Sequence, residues 1–249
     1  VAWCPAAPGH TGAAHDLALA AGARYGAASL DAPAERASEP VQSHAFWAPV
    51  STRKRADGSN AVFPHFIMDR GKPGMIALNQ RGERFLNEST SYHLFGLAMQ
   101  AANKASPCIP AWLVCDAAAL KRYGIGMIRP GAQPGKSIAP YLADGYLIQA
   151  DTVAALAAKL GVDEAVLSDT ITGFNQAADA GVDEAFQRGS TAYQRNNGDA
   201  TQPGKNPCLG KLETAPYFAI RLYPGDIGAS TGLLTDTHAR VLDRNDAPI

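Results

Sequence analysis

The stretch Pro73-Gly-Met-Ile-Ala-Leu-Asn-Gln-Arg-Gly-Glu-Arg-Phe-Leu-Asn-Glu-Ser-Thr-Ser-Tyr92 is the most informative part of the chain. Its apolar run at 75–79 predicts a strand, residues 80–82 predict a tight turn at a glycine, and residues 83–86 predict a second strand. A helix is predicted over 93–104. The sequence therefore predicts two strands, then a polar loop, and then a helix that begins next to Tyr92.

Further strands and helices are predicted on both sides of this stretch. The predicted strands are 46–50, 61–67, 111–115 and 217–223, with a hairpin of 232–236 and 240–242; the predicted helices are 13–21, 117–123, 152–160 and one that follows Asp163. Asp116, Asp151 and Asp163 are the predicted helix caps. In the last helix, the residues expected to share one buried face are Leu167, Ile171, Phe174 and Ala178. Residues 188–212 are polar, with Asn-Gly and Pro-Gly pairs, and predict a long surface loop.

Composition and charge exclude several classes of protein. The chain has 249 residues, of which 46% are hydrophobic and 18% charged, as is typical of a globular protein. Its net charge of −1 gives no field that attracts nucleic acid, and a segment at 156–169 with helix-turn-helix spacing has no basic residue in its second helix. The most apolar run, 17–30, is interrupted by Arg24, so no membrane span is predicted.

The cysteines and histidines predict neither a disulfide framework nor a metal site. Four cysteines are scattered at positions 4, 108, 115 and 208, which favours free thiols and a cytoplasmic location. Six histidines include no pair at metal-binding helical spacing with a third ligand nearby. We therefore expect no metal cofactor.

Two glycine motifs bear on catalysis and nucleotide binding. Gly228-Ala-Ser-Thr-Gly232 matches the Gly-x-Ser-x-Gly pattern of serine hydrolases, with Asp236 and His238 following. The residues after this serine predict a strand where a hydrolase needs a helix, so a serine hydrolase remains a remote alternative. No Gly-x-Gly-x-x-Gly nucleotide fingerprint occurs in the chain, because Gly124-Ile-Gly126 is followed by no third glycine at the required spacing.

Ordered motifs give the chain a resemblance to flavoproteins of the fumarate reductase and succinate dehydrogenase superfamily. The stretch 73–92 is similar to a passage of the domain that caps the flavin in that superfamily. Residues 9–12 with 20–23 resemble its turn and helix, and 215–225 and 232–242 resemble its return strand and final hairpin. The resemblance implies an α+β fold, with FAD as the cofactor of the complete protein.

The domain arrangement follows from the same resemblance. It implies a capping or substrate domain at 46–214, with a small mixed sheet and surrounding helices. Partial segments of a flavin-binding domain are expected to flank it at 1–45 and 215–249. The chain starts at Val1 without Met and stops within a predicted hairpin, so we expect a fragment of a longer polypeptide that does not retain FAD by itself.

The residue at position 92 distinguishes two branches of the superfamily. Carboxylate-reducing members carry an arginine acid four residues after the Asn-Glu pair, where this chain has Tyr92. A tyrosine there resembles the 3-ketosteroid dehydrogenase branch, which implies that Tyr92 removes a proton beside a ketone while a hydride passes to FAD. A free phenol has a pKa of about 10, so this role demands a strong partner near neutral pH. The structural alternative is a tyrosine that anchors the start of the helix.

The resemblance also assigns supporting residues and a substrate class. Backbone near the flavin is expected from Thr11, Gly12, Gly225, Asp226, Gly228, Thr231 and Gly232, since glycine permits close approach. Asn87 and Glu88 are expected to fix the loop by hydrogen bonds to backbone. The expected substrate is a small hydrophobic ketone, steroid-like or otherwise, with an unidentified electron acceptor. The sequence also leaves open a fumarate-type carboxylate oxidoreductase and a non-catalytic binding or interaction domain.

Overall fold

The protein forms two compact units in the computed structural model, which describes residues 3–7, 9–27, 45–132, 137–229 and 231–249. The larger unit is Trp47–Gly225, and the smaller unit combines Trp3–Phe46 with Asp226–Ile249. The sequence placed the end of the central domain at 214, whereas the larger unit continues to Gly225. Residues 28–44 and the serine of the Gly-x-Ser-x-Gly motif lie outside the described residues.

Seven helices and eight strands are described. In chain order they are α1 (Ala13–Ala20), β1 (Tyr25–Ala27), β2 (Ala45–Lys54), β3 (Asn60–Pro64), β4 (Met75–Leu78), α2 (Tyr92–Ala105), β5 (Ala111–Asp116), α3 (Ala117–Tyr123), α4 (Ala139–Ala143), β6 (Ile148–Ala150), α5 (Val153–Leu160), α6 (Glu164–Ala180), α7 (Ala192–Asn197), β7 (Tyr217–Ala229) and β8 (Thr231–Leu233).

A six-stranded sheet is the centre of the larger unit. Its strand order is β3-β2-β7-β5-β4, and β6 pairs with β7 at Tyr217–Ala219. Strand β5 lies between β4 and β7, with Met75 opposite Cys115 and Leu113 opposite Ile220. Every pairing whose register is described in this sheet is antiparallel, so the expected mixed sheet is corrected to an antiparallel one.

Both faces of the sheet are covered, because alternate side chains of each strand point to opposite faces. Leu113 packs in a cluster with Phe95 of α2 and Leu120 of α3. Its neighbour Val114 packs in the opposite cluster with Leu156 of α5. The predicted stripe of α6 is confirmed, since Leu167, Ile171, Phe174 and Ala178 are all buried. Burial on both faces explains why β4 and β5 are short apolar runs without alternation.

Helix caps fix where the helices begin. The carboxylates of Asp116 and Asp163 accept hydrogen bonds from the backbone amides of Ala119 and Val166, as predicted. The predicted cap Asp151 is wrong by one residue. Thr152 caps α5, and its hydroxyl accepts from Ala155 N at 3.1 Å. Aspartate and threonine side chains can both accept hydrogen bonds from the free amides of a first turn. The sequence therefore could not decide whether Asp151 or Thr152 is the cap.

The segment 188–212 was expected to be a surface loop, and this is wrong in two respects. It contains the helix α7, and it buries both Arg188 and Cys208. The Arg188 guanidinium donates to the carbonyls of Met75 (2.6 Å) and Lys72 (2.7 Å). Polar residues enter the interior when each of their hydrogen-bonding groups finds a partner, and polar composition does not reveal those partners.

The predicted strand at 83–86 is reduced to a single bridge between Leu78 and Arg84. Near the other end of the chain, β7 extends to Ala229, beyond the predicted strand 217–223. In the smaller unit β1 pairs with β8, with Gly26 opposite Gly232. The predicted hairpin that follows is confirmed, because Leu242 N donates to Leu234 O at 2.9 Å.

Within the described ranges, no helix combines the length and apolarity needed to cross a membrane.

Candidate functional site

Tyr92 is the first residue of α2, and the start of this helix is closely fixed. The hydroxyl of Ser91 accepts a hydrogen bond from Leu94 N at 3.3 Å and caps the helix. A Cβ added at Gly96 would lie 2.5 Å from Trp47 Cβ, so a glycine is needed for α2 to approach β2 this closely. Two side chains of the helix itself, Phe95 and Met99, are fully buried. Tyr92 itself is half-buried.

Tyr92 borders an apolar surface of the larger unit. The ring of Phe66 meets the Tyr92 ring edge to face, with centroids 5.1 Å apart. Phe66 is 40% exposed, and two residues near this pair in the chain, Met68 and Leu94, are 73% and 54% exposed. The Phe66–Tyr92 pair thus offers partly exposed aromatic surface, which favours contact with an apolar molecule.

Arg70 ties the segment of Phe66 to the loop that leads to Tyr92. Its Nε donates to the His65 carbonyl at 2.8 Å, and its other two guanidinium nitrogens donate to the carbonyls of Phe66 and Glu88. The guanidinium lies over the Phe95 ring, 5.0 Å from the centroid. Burial lowers the pKa of Arg70 to about 10, so the side chain stays charged at neutral pH. Sequence analysis missed this residue because Asp-Arg-Gly has the composition of a surface turn.

Glu88 is fully buried and bound by two arginines. One carboxylate oxygen lies 2.7 Å from Arg84 Nη2 and 3.1 Å from Arg188 Nη1, and the other accepts from Ala77 N at 3.1 Å. Burial opposes ionisation of Glu88, but the charges of Arg84 and Arg188 outweigh it and lower its pKa. The sequence predicted a hydrogen bond between Glu88 and backbone, and Ala77 N is such a partner, but the ion pairs with Arg84 and Arg188 were not predicted.

Asn87 fixes the other side of the same loop. Its amide nitrogen donates to the Phe186 carbonyl at 3.0 Å, and its amide oxygen accepts from Ser89 N at 2.9 Å. Arg84 extends this support, because it also pairs with Asp183 at 2.8 Å and lies between the rings of Phe174 and Phe186. Residues 84–92 are therefore anchored to α6 and to the segment that follows it.

The residues expected near the flavin fall mostly in the smaller unit. Thr11 and Gly12 precede α1, and Gly12 has a positive φ of 86° at the helix cap. Asp226 accepts from Cys4 Sγ at 3.6 Å, and the hydroxyl of Thr231 lies 3.2 Å from Tyr25 OH. Gly228 and Gly232 lie on β7 and β8, and Gly225 is buried at the end of the larger unit. The structure thus groups Tyr92, Asn87, Glu88 and Gly225 in one unit and the other six residues in the other.

The glycines of the smaller unit fit an approaching cofactor. A Cβ added at Gly12, Gly228 or Gly232 would meet no atom within 4 Å. The space on the Cβ side of these three glycines is therefore not filled by other described parts of the protein. Among the residues that the structure describes, no group of three His, Cys, Asp or Glu side chains is placed to hold a metal ion.

Comparison with known proteins gives one family and several relatives. The family model described as FAD binding domain matches residues 1–249. The 4-oxocyclohex-2-ene-1-carboxylate 5-dehydrogenase of Sinomonas cyclohexanicum is 37% identical over 97% of this chain and 38% of its own length. The 3-oxosteroid 1-dehydrogenase of Mycolicibacterium smegmatis is 38% identical over 74% of this chain and 32% of its own length. The chain thus spans about a third of the length of these relatives.

Solved structures agree with this comparison. The 3-ketosteroid delta1-dehydrogenase from Sterolibacterium denitrificans, in complex with 1,4-androstadiene-3,17-dione, matches the whole chain and 41% of its own, with a TM-score of 0.81 and 34% identity. The open conformation of a flavocytochrome c3 fumarate reductase matches 96% of this chain and 33% of its own, with a TM-score of 0.56 and 23% identity. The second match shows a shared fold.

Proposed function

The chain belongs to the FAD binding domain family, and we propose that it is part of an FAD-dependent dehydrogenase in which Tyr92 removes a proton beside a cyclic ketone. The observation that carries this proposal is the position of Tyr92 at the capped start of α2 and against the partly exposed ring of Phe66. A hydrophobic ring can lie on that surface within reach of a phenolic oxygen. The names of the relatives, which act on 3-oxosteroids and on 4-oxocyclohexene carboxylates, support the same substrate class.

The proposed reaction removes two hydrogens from neighbouring carbons and leaves a carbon–carbon double bond. The proton from the carbon beside the ketone goes to the oxygen of Tyr92, and bound FAD supplies the acceptor for the hydride from the next carbon. Tyr92 can accept this proton only as a phenolate, so its own phenolic proton must leave before the step. The ketone makes the proton acidic by spreading charge onto its oxygen.

The surrounding residues orient this base. Arg70 donates to the carbonyls of Phe66 and Glu88. It therefore holds together the residue that contacts the Tyr92 ring and the loop that precedes Tyr92. The same loop is fixed by the contacts of Arg84, Asn87 and Glu88 with the rest of the larger unit. Proton transfer is faster when the base is held in the right position and orientation relative to the substrate.

The smaller unit supplies the proposed contacts to FAD. The residues are Thr11, Gly12, Asp226, Gly228, Thr231 and Gly232, with Gly225 of the larger unit as the seventh. The open space around Gly12, Gly228 and Gly232 supports this assignment. We propose accordingly that 1–45 and 215–249 are segments of a flavin-binding domain and that 46–214 is the capping domain. A cytoplasmic location and an unidentified electron acceptor complete the proposal.

The experiment is a substrate panel with the native protein that contains this chain, loaded with FAD. A 3-oxosteroid, 4-oxocyclohexanecarboxylate and succinate are added separately under anaerobic conditions, and bleaching of the oxidised flavin is followed. We expect a cyclic ketone to bleach the flavin and succinate to leave it oxidised. Bleaching by succinate alone would favour the carboxylate alternative, and a protein that no cyclic ketone reduces would contradict the proposal.

A further inference from the structure

Four buried side chains of the larger unit form a continuous series of hydrogen bonds. His65 Nδ1 lies 2.7 Å from Asp69 Oδ2, and His65 Nε2 lies 2.8 Å from Ser51 Oγ. Ser51 Oγ lies 2.7 Å from Tyr146 OH. None of the four residues is more than 6% exposed.

The series closes into a ring through two neighbouring backbone amides. Gly126 N donates to Asp69 Oδ2 at 2.8 Å, and Met127 N donates to Tyr146 OH at 3.0 Å. A Cβ added at Gly126 would lie 2.1 Å from Tyr146 OH, so only glycine leaves room for the closure. We call these residues, Ser51, His65, Asp69, Tyr146 and the amides of 126–127, the buried ring.

One order of protons gives every donor of the buried ring an acceptor. Tyr146 donates to Ser51, Ser51 donates to His65 Nε2, and His65 Nδ1–H donates to Asp69. Asp69 is suited to the end of this order. Burial opposes its ionisation, but His65 and the amides of Gly126 and Arg70 lower the pKa of Asp69 to about 2. Complete pairing in the interior makes the ring rigid.

The geometry of Ser51, His65 and Asp69 is that of a serine hydrolase triad, but burial excludes that chemistry. A nucleophile must reach a substrate carbonyl, whereas Ser51 is 1% exposed and His65 is fully buried. The Ser51 oxygen is also enclosed between Tyr146 and His65. The buried ring therefore has a task other than covalent catalysis.

We propose that the buried ring makes His65 a positioning residue for the proton transfer to Tyr92. Phe66 directly follows His65 and is the aromatic wall against which the Tyr92 ring stands, with centroids 5.1 Å apart. The His65 carbonyl also accepts from Arg70, whose guanidinium binds the Glu88 carbonyl in the loop that leads to Tyr92. The inference rests on the proposed function, because it gives His65 a task only if Tyr92 is the base.

Loss of the buried ring removes the bond between His65 and Ser51 of β2, and leaves the backbone bond from His65 N to Pro49 O (2.8 Å) in place. Phe66 then moves relative to α2, and the Tyr92 ring gains rotational freedom. A misplacement of about 1 Å in a catalytic group reduces a rate by about 100-fold. His65 thus acts on the chemical step through Phe66 rather than by touching the substrate.

The test uses the flavin-loaded native protein and the variant His65→Asn, whose amide can still donate to Asp69 but no longer reaches Ser51. We expect kcat with a reactive cyclic ketone to fall about 10- to 100-fold, with KM changed by less than about three-fold. The control is Tyr123→Phe on α3, which removes the hydrogen bond from Tyr123 OH to Asp199 (2.7 Å) away from Phe66. We expect the control to keep kcat within about two-fold.

A double-mutant cycle tests whether the effect passes through Phe66. In a Phe66→Leu background, His65→Asn should lower kcat by less than about three-fold, because the wall it positions is already changed. If His65→Asn does not fold, Ser51→Ala breaks the same ring at the next bond and should give the same pattern. A kcat within two-fold of wild type for the folded ring variant, or an undiminished loss in the Phe66→Leu background, would overturn the inference.

The outcomes also separate this inference from the proposed function. Full turnover by Tyr92→Phe would overturn both, since there would be no base to position. An inactive Tyr92→Phe together with an unaffected His65→Asn would overturn only the role of the buried ring.

Discussion

Glu88 lies in the loop before Tyr92, and only part of its role could be predicted from the sequence. Its place in a loop that supports Tyr92 could be predicted from the motif at 73–92. Its partners could not, because Arg188 lies 100 residues away in a segment with the composition of a surface loop, and Arg84 stood in a predicted strand. Local patterns contain no information about which distant charge will neutralise a buried acid. His65 and Arg70 were missed for the same reason.

Replacement of Glu88 by Gln tests this network. The change leaves two arginines near a neutral amide, and removal of one partner from a buried ion pair costs about 3–5 kcal/mol. We expect a loss of that order in the free energy of unfolding at neutral pH, measured by urea denaturation. Glu184→Gln, at an exposed position that is close in sequence to Asp183, is the control and should change stability by less than about 0.5 kcal/mol.

The pH dependence of the same variant has a definite sign. The folded pKa of Glu88 lies below its ordinary value of 4.5, so its contribution to stability is present above about pH 4.5 and is lost as the pH falls through the folded pKa. The difference in stability between wild type and Glu88→Gln should therefore be largest at neutral pH and shrink in acid. A difference that stays constant down to acid pH would show that folding does not lower the pKa of Glu88.

At the scale of elements, helices were predicted better than strands and loops. The stripe of α6 is a local pattern with a period of 3.6 residues, and it survives in the structure unchanged. The strand expected at 83–86 depended on a distant partner and is reduced to one bridge. The helix α7 was missed because its polar sequence resembles a loop.

The cap of α5 offers a test within two adjacent positions. Thr152→Ala removes the side-chain acceptor for Ala155 N and should lower the free energy of unfolding by about 0.5–2 kcal/mol. Asp151→Ala, one residue earlier, should have little effect. Equal losses for the two variants in chemical denaturation would restore Asp151 as a cap.

Two glycines inside helices should respond in opposite directions to alanine. Gly173 of α6 has no atom within 4 Å of an added Cβ, so Gly173→Ala should stabilise the protein by about 0.5–1 kcal/mol. Gly96→Ala must displace Trp47 and should destabilise it, because close-packed interiors do not accept an extra methyl group. Thermal denaturation of both variants decides this, and a gain for Gly96→Ala would contradict the close approach of α2 to β2.

At the scale of the whole molecule, the family resemblance stated from the sequence is confirmed by the match over residues 1–249 and by relatives that are 3-oxosteroid 1-dehydrogenases. Ordered motifs made this possible, because several of them occur in the same order along most of the chain. The expected mixed sheet was wrong because the direction of a strand depends on its partners. The chain covers 32–38% of the length of the two relatives described above, and we predict that its own residues do not retain FAD.

Flavin retention tests that last point. The 249 residues contain no Gly-x-Gly-x-x-Gly loop to bind the pyrophosphate, so the purified chain should lose added FAD on a desalting column. The native protein that contains it should keep visible flavin absorbance through the same column. A yellow 249-residue chain after desalting would refute this expectation.

The rate of flavin reduction by a cyclic ketone substrate in the Tyr92→Phe variant of the native protein tests most directly whether Tyr92 is the base. The variant keeps the ring that contacts Phe66 and removes only the oxygen that we propose as the proton acceptor. We expect the anaerobic rate of flavin bleaching to fall by about 10²- to 10⁴-fold, with flavin content and melting temperature unchanged. A rate equal to that of the wild type would show that Tyr92 is not the base.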